Sequence, residues 1–525
     1  MAHTANVYLD ANSNVAELPL LDSELVCVIA PVRSRIQLAP ESPAQPLIPQ
    51  RALQPGEQYR FHFDMTRCIG CKCCVVACNE QNGNPAAINW RRVGEVEGGH
   101  YPQAHRYHLS MGCNHCLEPS CLIGCPVEAY TKDPVTGVVI HSAEACIGCQ
   151  YCTWNCSYGV PQYNPERGVV GKCDLCHNRL ADGMAPACAA ACPEQAISVE
   201  IVNTAEWSAD YLSANAPGLP SAGDSISTTR ITLPDSLPPD TGRVDTQRIA
   251  PEHPHWPLVF MLVLTQLAAG AIATLWAMDL SGHAADLAAV LGAAALAGVS
   301  LGAATLHLGR PVYAWRALKG LRRSWLSREV LGLSLFAGSA AAYAGIALLH
   351  LPGRGAAGFA AVLFACLGTL CSARIYMVPA RPAWNTRYTI AEFFSTALLL
   401  GPLLVWAADS SGAGREWVSR AVIGGATAQL LAVALKFLWL SRSEILELRT
   451  SALLLSGRLK TFFLLRVALL LGGGVVLPLA AHSGRGAVAA LLLALAGEIA
   501  GRWLFFVSVV PKSIASAFLG AERPL

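Results

Sequence analysis

The sequence predicts a small α+β domain followed by an all-α membrane domain of about eight transmembrane helices. Sixteen of the 20 cysteines lie in four groups of four between Cys68 and Cys192. From Trp256 onward come eight apolar segments, each long enough to cross about 30 Å of hydrocarbon. Only 14% of the 525 residues are charged, against about 25% in a typical soluble domain. The net charge of +2 gives no indication of nucleic-acid binding.

The cysteine groups have the spacing of ligands to iron–sulfur cubanes. In such a group three closely spaced sulfurs reach one cluster, and the fourth, beside the following helix, reaches the neighbouring cluster. At four thiolates per cubane, sixteen cysteines predict four [4Fe–4S] clusters. The predicted ligands are Cys68, Cys71, Cys74 and Cys78; Cys113, Cys116, Cys121 and Cys125; Cys146, Cys149, Cys152 and Cys156; and Cys173, Cys176, Cys188 and Cys192.

Disulfides and zinc are the alternatives to iron–sulfur clusters. Disulfide scaffolds are typically short and secreted, and residues 1–20 lack the apolar run of a secretory signal. Zinc sites usually use two separated cysteine pairs, which leaves the third and fourth cysteine of each group unexplained. Cys73, off the spacing of the first group, and Cys27 are predicted to be ordinary thiols.

The cysteine-rich segment contains an internal duplication. Cys68-Ile-Gly-Cys71 recurs as Cys146-Ile-Gly-Cys149, and Cys125-Pro-Val-Glu-Ala recurs as Cys192-Pro-Glu-Gln-Ala. Residues 59–202 are therefore predicted to form two related ferredoxin-like units, in which each cysteine loop leads into a short helix. A domain this rich in clusters needs little apolar core, because the iron–sulfur bonds crosslink it.

The rest of the sequence divides by composition. The predicted parts are an N-terminal extension over 1–58, a linker or wrapping tail over 203–255, a membrane domain over 256–510 and a C-terminal tail over 511–525. Small strands are expected at 137–141 and 196–201. The expected membrane spans are 257–278, 287–308, 329–351, 356–378, 389–408, 418–440, 461–482 and 486–510.

Charge around the spans predicts which side the clusters face. The connections on the N-terminal side of the membrane domain hold 14 Arg and Lys residues, against four in the opposite loops and their edges. Connections rich in positive charge stay in the cytoplasm. The clusters are therefore predicted on the cytoplasmic side of a bacterial or archaeal inner membrane, and no N-terminal twin-arginine signal contradicts this.

An iron–sulfur path joined to membrane spans indicates electron exchange with a lipid-soluble carrier. A quinol loses two protons with its two electrons, and a histidine of near-neutral pKa and a carboxylate can accept them. His307, at the end of the second expected span, and Glu329, at the start of the third, are the candidates for these roles.

Other ionisable residues fall inside the spans. For the basic ones, snorkelling to the nearer interface is the favoured interpretation. Glu498 and Arg502, four residues apart, are predicted to pair on one helix face. A haem would need axial ligands such as His350 and His482, but both stand at loop edges, so interfacial histidines without haem are favoured. The remaining ionisable residues are Arg374, Glu392, Lys436 and Arg466.

Several motifs resemble those of a known family. Cys-Asn-His-Cys (113–116) and Gly-Lys-Cys-Asp-Leu-Cys (171–176) resemble the electron-transfer subunit of dimethyl sulfoxide reductase and related molybdenum enzymes. His-Leu-Gly-Arg-Pro (307–311) and Ser-Ala-Arg-Ile-Tyr (372–376) resemble the separate membrane anchor subunit. The chain thus resembles a fusion of both subunits over about residues 59–510.

The resemblance implies a separate catalytic subunit with a bis-pyranopterin molybdenum or tungsten centre. It also implies a quinone site near His307 and Glu329, with Arg310 and Arg374 in its vicinity, that takes menaquinone or ubiquinone, and it implies no haem. In the family, cysteine groups one and four share one cluster pair, and groups two and three share the other. Two departures are Ser157, where the family has proline after the last cysteine of group three, and the extension over 1–58.

The predicted function is that of an electron-transfer and membrane-anchor subunit of a quinone-linked molybdenum or tungsten oxidoreductase. Substrate chemistry then belongs to the partner, with the direction of electron flow open between reducing an S- or N-oxide and oxidising a donor such as sulfite or formate. The predicted cytoplasmic face favours sulfite. The alternatives are an ion-translocating subunit, which would need more acidic residues across the membrane, and a purely structural anchor.

Overall fold

The structure, a computed structural model, describes residues 46–243, 250–283, 285–408, 415–480 and 484–512. Cys27, His482 and most of the predicted N-terminal extension lie outside these ranges. From Leu47 on, the described residues belong to one compact unit. The predicted fold class is confirmed, because an α+β cluster domain precedes an all-helical part with eight candidate spans.

Short strands build the frame of the cluster domain. They are β1 (Glu57–Asp64), β2 (Arg92–Gly98), β3 (His105–Met111), β4 (Tyr130–Lys132), β5 (Val139–His141), β6 (Gln162–Asn164), β7 (Val169–Gly171), β8 (Ile197–Asn203), β9 (Arg230–Thr232) and β10 (Gly242–Arg243). They form two three-stranded sheets, β8-β1-β9 and β10-β2-β3, and two hairpins. The antiparallel register of β1 and β8 sets Phe61 opposite Val199, and both are buried. The two strands expected from the sequence are β5 and β8.

The duplicated Cys-Ile-Gly-Cys loops share an unusual backbone. Gly70 and Gly148 have φ of 72° and 71°, and Lys72 and Gln150, two residues on, have φ of 63° and 60°. Glycine reaches this left-handed region without steric cost, so the repeated glycine has a physical reason. The cysteine loops lead into the short helices α1 (Cys73–Asn82), α2 (Ser120–Gly124), α3 (Tyr151–Asn155), α4 (His177–Ala181) and α5 (Ala187–Ala190).

Residues 204–243 lie against the cluster domain. They contain α6 (Thr204–Asp210) and two 3₁₀ turns, and then strands β9 and β10. Strand β9 pairs parallel to β1, and β10 pairs antiparallel to β2. The buried Trp207 donates Nε1–H to the carbonyl of Ser227 at 2.8 Å. This stretch therefore completes both three-stranded sheets.

The membrane domain is built from α-helices, most of them more than 18 residues long. They are α7 (Trp256–Leu280), α8 (Leu287–Thr305), α9 (Trp325–Leu348), α10 (Arg354–Tyr376), α11 (Arg387–Ala408), α12 (Arg415–Ser441), α13 (Leu446–Ser456), α14 (Lys460–Leu471), α15 (Leu477–Ala480) and α16 (Gly484–Val507). A π-helical turn joins α14 to α15, and the two form one span. All eight predicted spans are confirmed by length and composition. The third begins at Trp325, so Glu329 lies one turn inside the helix.

Close packing in the membrane domain uses glycine. A Cβ at Gly332 of α9 would lie 3.0 Å from the Cα of Gly368 in α10, so these helices approach backbone to backbone. Gly270 of α7 and Gly401 of α11 meet in the same way. Small residues allow such contacts between helices in a bilayer, where hydrophobic burial drives association less than close packing does.

The cluster domain is docked on the membrane domain through the connection between α8 and α9. A Cβ at Gly148 would lie 2.9 Å from Gly309 Cα, so the two loops touch through glycines. Gly320 donates its N–H to the carbonyl of Pro126 at 2.8 Å, and Ser324 Oγ donates to the carbonyl of Gly124 at 2.7 Å. The junction is therefore a set of fixed backbone contacts.

Candidate electron-transfer site

The sixteen cysteines singled out by their spacing come together in four sites. We number these sites I to IV. Three of them, sites I, III and IV, are cavities lined by four cysteines each. At site II, three cysteines lie close to Cys78. Site I contains Cys68, Cys71, Cys74 and Cys192; site II contains Cys78, Cys173, Cys176 and Cys188; site III contains Cys113, Cys116, Cys121 and Cys156; and site IV contains Cys125, Cys146, Cys149 and Cys152. In each site three cysteines come from one sequence group and the fourth from another.

These sites suit a group larger than one metal ion. The cysteines in the described ranges are free thiols. In the same ranges no three His, Cys, Asp or Glu side chains converge closely enough to hold a single ion. A cubane is a bulky body with one thiolate at each iron, and four cysteines around a cavity fit it. Cys73 is exposed at the first residue of α1 and is absent from the lining of site I.

The four sites follow one another from an exposed surface to the membrane domain. At site I, Cys71 is exposed and Ile69 is 59% exposed. Site IV lies at the opposite end, where Gly148 in its cysteine loop touches Gly309. Neighbouring sites meet through Cys74 and Cys188, through Cys173 and Cys113, and through Cys156 and Cys152. The order is therefore I, II, III, IV.

Site IV shares one apolar core with the membrane helices. Trp154, two residues after Cys152, packs on Trp384 with ring centroids 5.5 Å apart and on Tyr376 at 5.7 Å. Phe506 of α16 joins the same group of rings. A continuous packed core holds the innermost site against the membrane domain without a water layer.

His307 lies in this junction, between the end of α8 and Gly309. Its ring centroid is 6.5 Å from that of His255, and its imidazole faces the backbone carbonyl of Cys149. Burial lowers the pKa of His307 to about 4, against the opposing effect of that carbonyl. The sequence does not show how deeply the junction covers this ring, and the predicted role of His307 as a proton acceptor stays a prediction.

Glu329 is buried near site IV with unused hydrogen-bonding capacity. It is 7% exposed, and Ser372 of α10 faces its carboxylate. By hydrogen-bond geometry neither Glu329 Oε1 nor Ser372 Oγ has a partner within the described residues, although the Ser372 hydroxyl lies close enough to the carboxylate to stabilise its charge. Tyr151 of α3 and Tyr376 of α10 lie beside this carboxylate. Buried polar atoms are nearly always paired, so these two suit a bound group with a hydroxyl or carbonyl.

The two arginines expected near the quinone have different positions. Arg310 donates its N–H to the carbonyl of Ile147 at 3.1 Å and Nη1–H to that of Ala143 at 2.9 Å, so it fastens the loop of site IV to the membrane domain. Arg374 is exposed at the end of α10, with its guanidinium 5.4 Å from the ring centroid of Trp325. Its exposed position fits the snorkelling interpretation.

The second half of the membrane domain contains a buried ion-pair network. Glu392 of α11 accepts from Lys436 Nζ of α12 at 2.7 Å, and Arg466 Nη1 of α14 lies 3.8 Å from its other oxygen. All three are buried. Snorkelling is therefore wrong for Lys436 and Arg466, because a carboxylate on a neighbouring helix gives them a partner inside the bundle.

Arg502 and Glu498 of α16 extend this network deeper. Arg502 is buried, so snorkelling is wrong for it too, and its Nη2 donates to Gln266 at 2.9 Å. Glu498 accepts from Thr396 at 2.8 Å and from Gln429 at 3.0 Å. The predicted pair between Glu498 and Arg502 is thus replaced by bonds to neutral polar groups on α7, α11 and α12. These partners were not predictable from spacing within α16.

A cavity of about 40 Å³ opens beside the ion-pair network. Glu392, Lys436 and Arg466 line it, together with Phe463 and Trp384. That volume has room for about three water molecules, at about 10–15 Å³ for each. The network can therefore be partly hydrated on the side that faces the junction.

The fold and the cysteine sites define an iron–sulfur protein anchored in a membrane by several helices. Residues 104–201 match the family described as "4Fe-4S dicluster domain", and residues 251–507 match "DMSO reductase anchor subunit (DmsC)". This protein belongs to the dimethyl sulfoxide reductase family of electron-transfer and anchor subunits, and it joins the two subunit types in one polypeptide.

Similar proteins match the cluster domain. One chain of the anaerobic dimethyl sulfoxide reductase of Haemophilus influenzae is 41% identical over 150 residues, which cover 27% of this sequence and 73% of that one. Its counterpart in Escherichia coli is 38% identical over 168 residues, 30% of this sequence and 82% of that one. One subunit of the sulfite dehydrogenase of Allochromatium vinosum is 35% identical over 160 residues, 26% of this sequence and 67% of that one.

Some residues of the candidate site could not be predicted from the sequence. Ser372 and Tyr376 stand in a motif that carried the resemblance, but nothing in their spacing shows that they face Glu329. Tyr151 lies two residues after a cysteine of group three, and only the docking of α3 on the membrane domain brings it to α9. His350 lies at the exposed end of α9, and its expected partner His482 is outside the described residues.

Proposed function

We propose that this chain carries electrons between a membrane quinone and a separate molybdenum or tungsten catalytic subunit, through four [4Fe–4S] clusters at sites I to IV. The observation that carries the proposal is the row of four four-cysteine sites that ends at the membrane junction. The clusters supply one-electron transfer when bound. The protein holds them in sequence, covers sites II to IV and exposes site I.

Quinone exchange is assigned to the region of the junction around Glu329 and Ser372. The unpaired Glu329 Oε1 and Ser372 Oγ support it, because a quinol hydroxyl would satisfy both. As the quinol loses two electrons to the clusters it also loses two protons: Glu329 accepts one and the neutral imidazole of His307 accepts the other, and both protons return when the flow is reversed. His307, neutral at physiological pH because of its lowered pKa, serves as a hydrogen-bonding partner there, with Arg310 holding its loop in place. Menaquinone and ubiquinone share this chemistry.

The catalytic partner is assigned to the surface around site I. Ile69 and Val76 are 59% and 60% exposed on that surface, and an electron must leave or enter where a cluster is close to solvent. Relatives of the cluster domain are named as parts of dimethyl sulfoxide reductase and of sulfite dehydrogenase. The partner sets the substrate and the direction of flow, and a cytoplasmic location favours a substrate such as sulfite.

Iron content tests the cluster assignment. The purified chain is expected to contain about sixteen iron atoms per molecule, four for each four-thiolate cubane, and low-temperature EPR of the reduced chain is expected to show interacting [4Fe–4S] signals. Two clusters, or zinc in stoichiometric amount, would overturn it. The same reduced sample is expected to lack the sharp absorption bands of a b-type haem.

Thiol labelling tests the proposed cytoplasmic position of the clusters. Ser281, exposed at the end of α7, and Ser456, exposed at the end of α13, lie in connections on opposite sides of the membrane domain. In intact cells Ser281→Cys is expected to react with an impermeant reagent, and Ser456→Cys only after lysis. The unsubstituted protein gives the background from its exposed cysteines. The reverse pattern would place the clusters outside.

A further inference from the structure

Two buried cations lie between neighbouring cysteine sites. Arg91 is 2% exposed and Lys172 is 3% exposed, although lysine and arginine are almost never this deeply buried without a partner that compensates the charge. In the described structure neither forms an ion pair with a carboxylate. The groups that stabilise these two charges most are the cysteine sulfurs around them, and Asp174 makes a smaller contribution to Lys172.

Arg91 stands between sites I and II. Its Nη1 donates to the Ser110 carbonyl and to Ser110 Oγ, both at 3.2 Å, and that hydroxyl lies 3.3 Å from Cys74 Sγ of site I. Its charge acts most strongly on Cys188 of site II and then on Cys74. By hydrogen-bond geometry the buried Arg91 Nη2 has no partner in the part of the chain that the structure describes, but Cys188 of site II lies close enough to this guanidinium to accept from it. A cluster sulfide or thiolate is the acceptor that the sites offer it.

Lys172 stands between sites II and III. Its Nζ donates to the carbonyl of Val139 and, at 2.6 Å, to that of Cys173, the residue of site II beside it. The same Nζ lies 3.6 Å from Cys113 Sγ of site III. Lys132 also lies near site III but is only half-buried, and its Nζ is directed to the carbonyls of Cys116 and Leu117.

Site IV lacks such a cation. The described residues that line it include no arginine or lysine. Its two polar ring side chains are the buried Tyr130 and the half-buried His141, and neither carries a permanent positive charge. Site II therefore has a buried cation on both sides, sites I and III have one each, and site IV has none.

We propose that Arg91 and Lys172 set the reduction potentials of the clusters that they separate, Arg91 for sites I and II and Lys172 for sites II and III. A cluster gains negative charge when it takes up an electron, and a cation in a low-dielectric interior stabilises that charge. The inference rests on the proposed four-cluster function. Because site II lies between both cations, its reduction potential is expected to change most when both are removed.

The test is an EPR-monitored redox titration of the full-length protein in membranes. In Arg91→Gln two of the four midpoint potentials are expected to fall, and in Lys172→Gln two are expected to fall. The midpoint potential of one cluster is expected to fall in both variants, and to fall by the largest amount in the double variant. The midpoint potential of another cluster is expected to stay the same in all three. This pattern can be recognised without assigning each signal beforehand.

Controls separate charge from structure. Two variants keep the positive charge, Arg91→Lys and Lys172→Arg. In both, the midpoint potentials of the clusters are expected to stay near those of the wild type. Arg106→Gln removes an exposed arginine that pairs with Glu97 and is expected to change none. If Arg91→Gln does not retain its iron, Ser110→Ala replaces it as the test, because this variant keeps the arginine but removes one of its hydrogen-bond acceptors. The midpoint potentials of two clusters, and not of one alone, are then expected to fall, by less than full removal of the charge would cause.

The outcomes distinguish this inference from the proposed function. Full iron content with unchanged midpoints in both neutral variants overturns the role of the cations and leaves the four-cluster proposal intact. A wild-type protein with fewer than four clusters overturns the proposed function itself. Equal shifts at all four clusters would also contradict the inference, because the cations would then act only through the overall charge of the domain.

Discussion

Glu329 in the first half of the membrane domain and Glu392 in the second are both buried carboxylates, and they have opposite surroundings. Glu392 of α11 is 5% exposed and faces Lys436 and Arg466 on neighbouring helices. Glu329 of α9 is 7% exposed, forms no ion pair within the described residues, and leaves Oε1 without a hydrogen bond. Both are equally unusual in the sequence, where each is an acidic residue in an apolar span.

The difference separates a structural charge from a functional one. A buried ion pair is costly to break, because removing one member leaves the other charge uncompensated. An isolated buried carboxylate instead costs free energy by itself, and its retention is explained when a ligand or a proton uses it. We therefore expect substitutions at the two glutamates to affect different properties.

The largest expected effect on stability is at Glu392. Glu392→Gln leaves Lys436 and Arg466 buried without their counter-charge, which costs about 3–5 kcal/mol. Thermal unfolding of the detergent-solubilised protein and the yield of folded protein measure this. Glu416→Gln, at an exposed pair with Arg420, is the matched control and is expected to change neither.

A double variant sharpens this test. If the loss in Glu392→Gln comes from the uncompensated lysine, then Glu392→Gln combined with Lys436→Met is expected to recover part of it. A Glu392→Gln protein that is as stable as the wild type would mean that the cavity beside the network hydrates the cations well enough to replace the carboxylate.

Glu329→Gln is expected to impair function instead of stability. Without a group that takes up the proton, quinol-linked turnover of the complete complex is expected to fall by about 10²–10⁴-fold, the usual contribution of a positioned acid or base. Activity with a soluble dye that reaches the clusters directly is expected to remain. Equal loss of both activities, or a large fall in thermal stability, would contradict the distinction between the two carboxylates.

The smallest effect is expected at Ser372. Its hydroxyl has no partner within the described protein, so Ser372→Ala is expected to leave stability unchanged while raising the KM for quinol up to about tenfold, the equivalent of about 1.4 kcal/mol. The matched control is Ser395→Ala, since Ser395 is buried and bonded to the Ala391 carbonyl at 2.6 Å; about 1 kcal/mol of stability is expected to be lost there. A loss of stability at Ser372 would show that its hydroxyl is already paired.

Residue spacing in the sequence predicted the fold class and the secondary structure correctly. It did not predict the side-chain contacts between helices that are far apart in the sequence. The fold class, the eight spans and strands β5 and β8 follow from periodicity and from the cysteine pattern. The expected pairing of Glu498 with Arg502 and the snorkelling of Lys436 were wrong, because the partners stand on other helices, between 44 and 236 residues away. The departure at Ser157 also gains a reason: its hydroxyl donates to Asp224 at 2.7 Å, and Lys512 binds the same carboxylate.

The exchange of the fourth cysteine between groups has a consequence for the biosynthesis of the protein. Site I combines Cys68, the first of the sixteen cysteines, with Cys192, the last. During translation the final ligand of site IV is Cys152 and that of site III is Cys156, whereas sites II and I wait for Cys188 and Cys192. In the proposed four-cluster protein, the ligands of the site beside the membrane domain are therefore complete first and those of the exposed site last, before the first membrane helix has been synthesised.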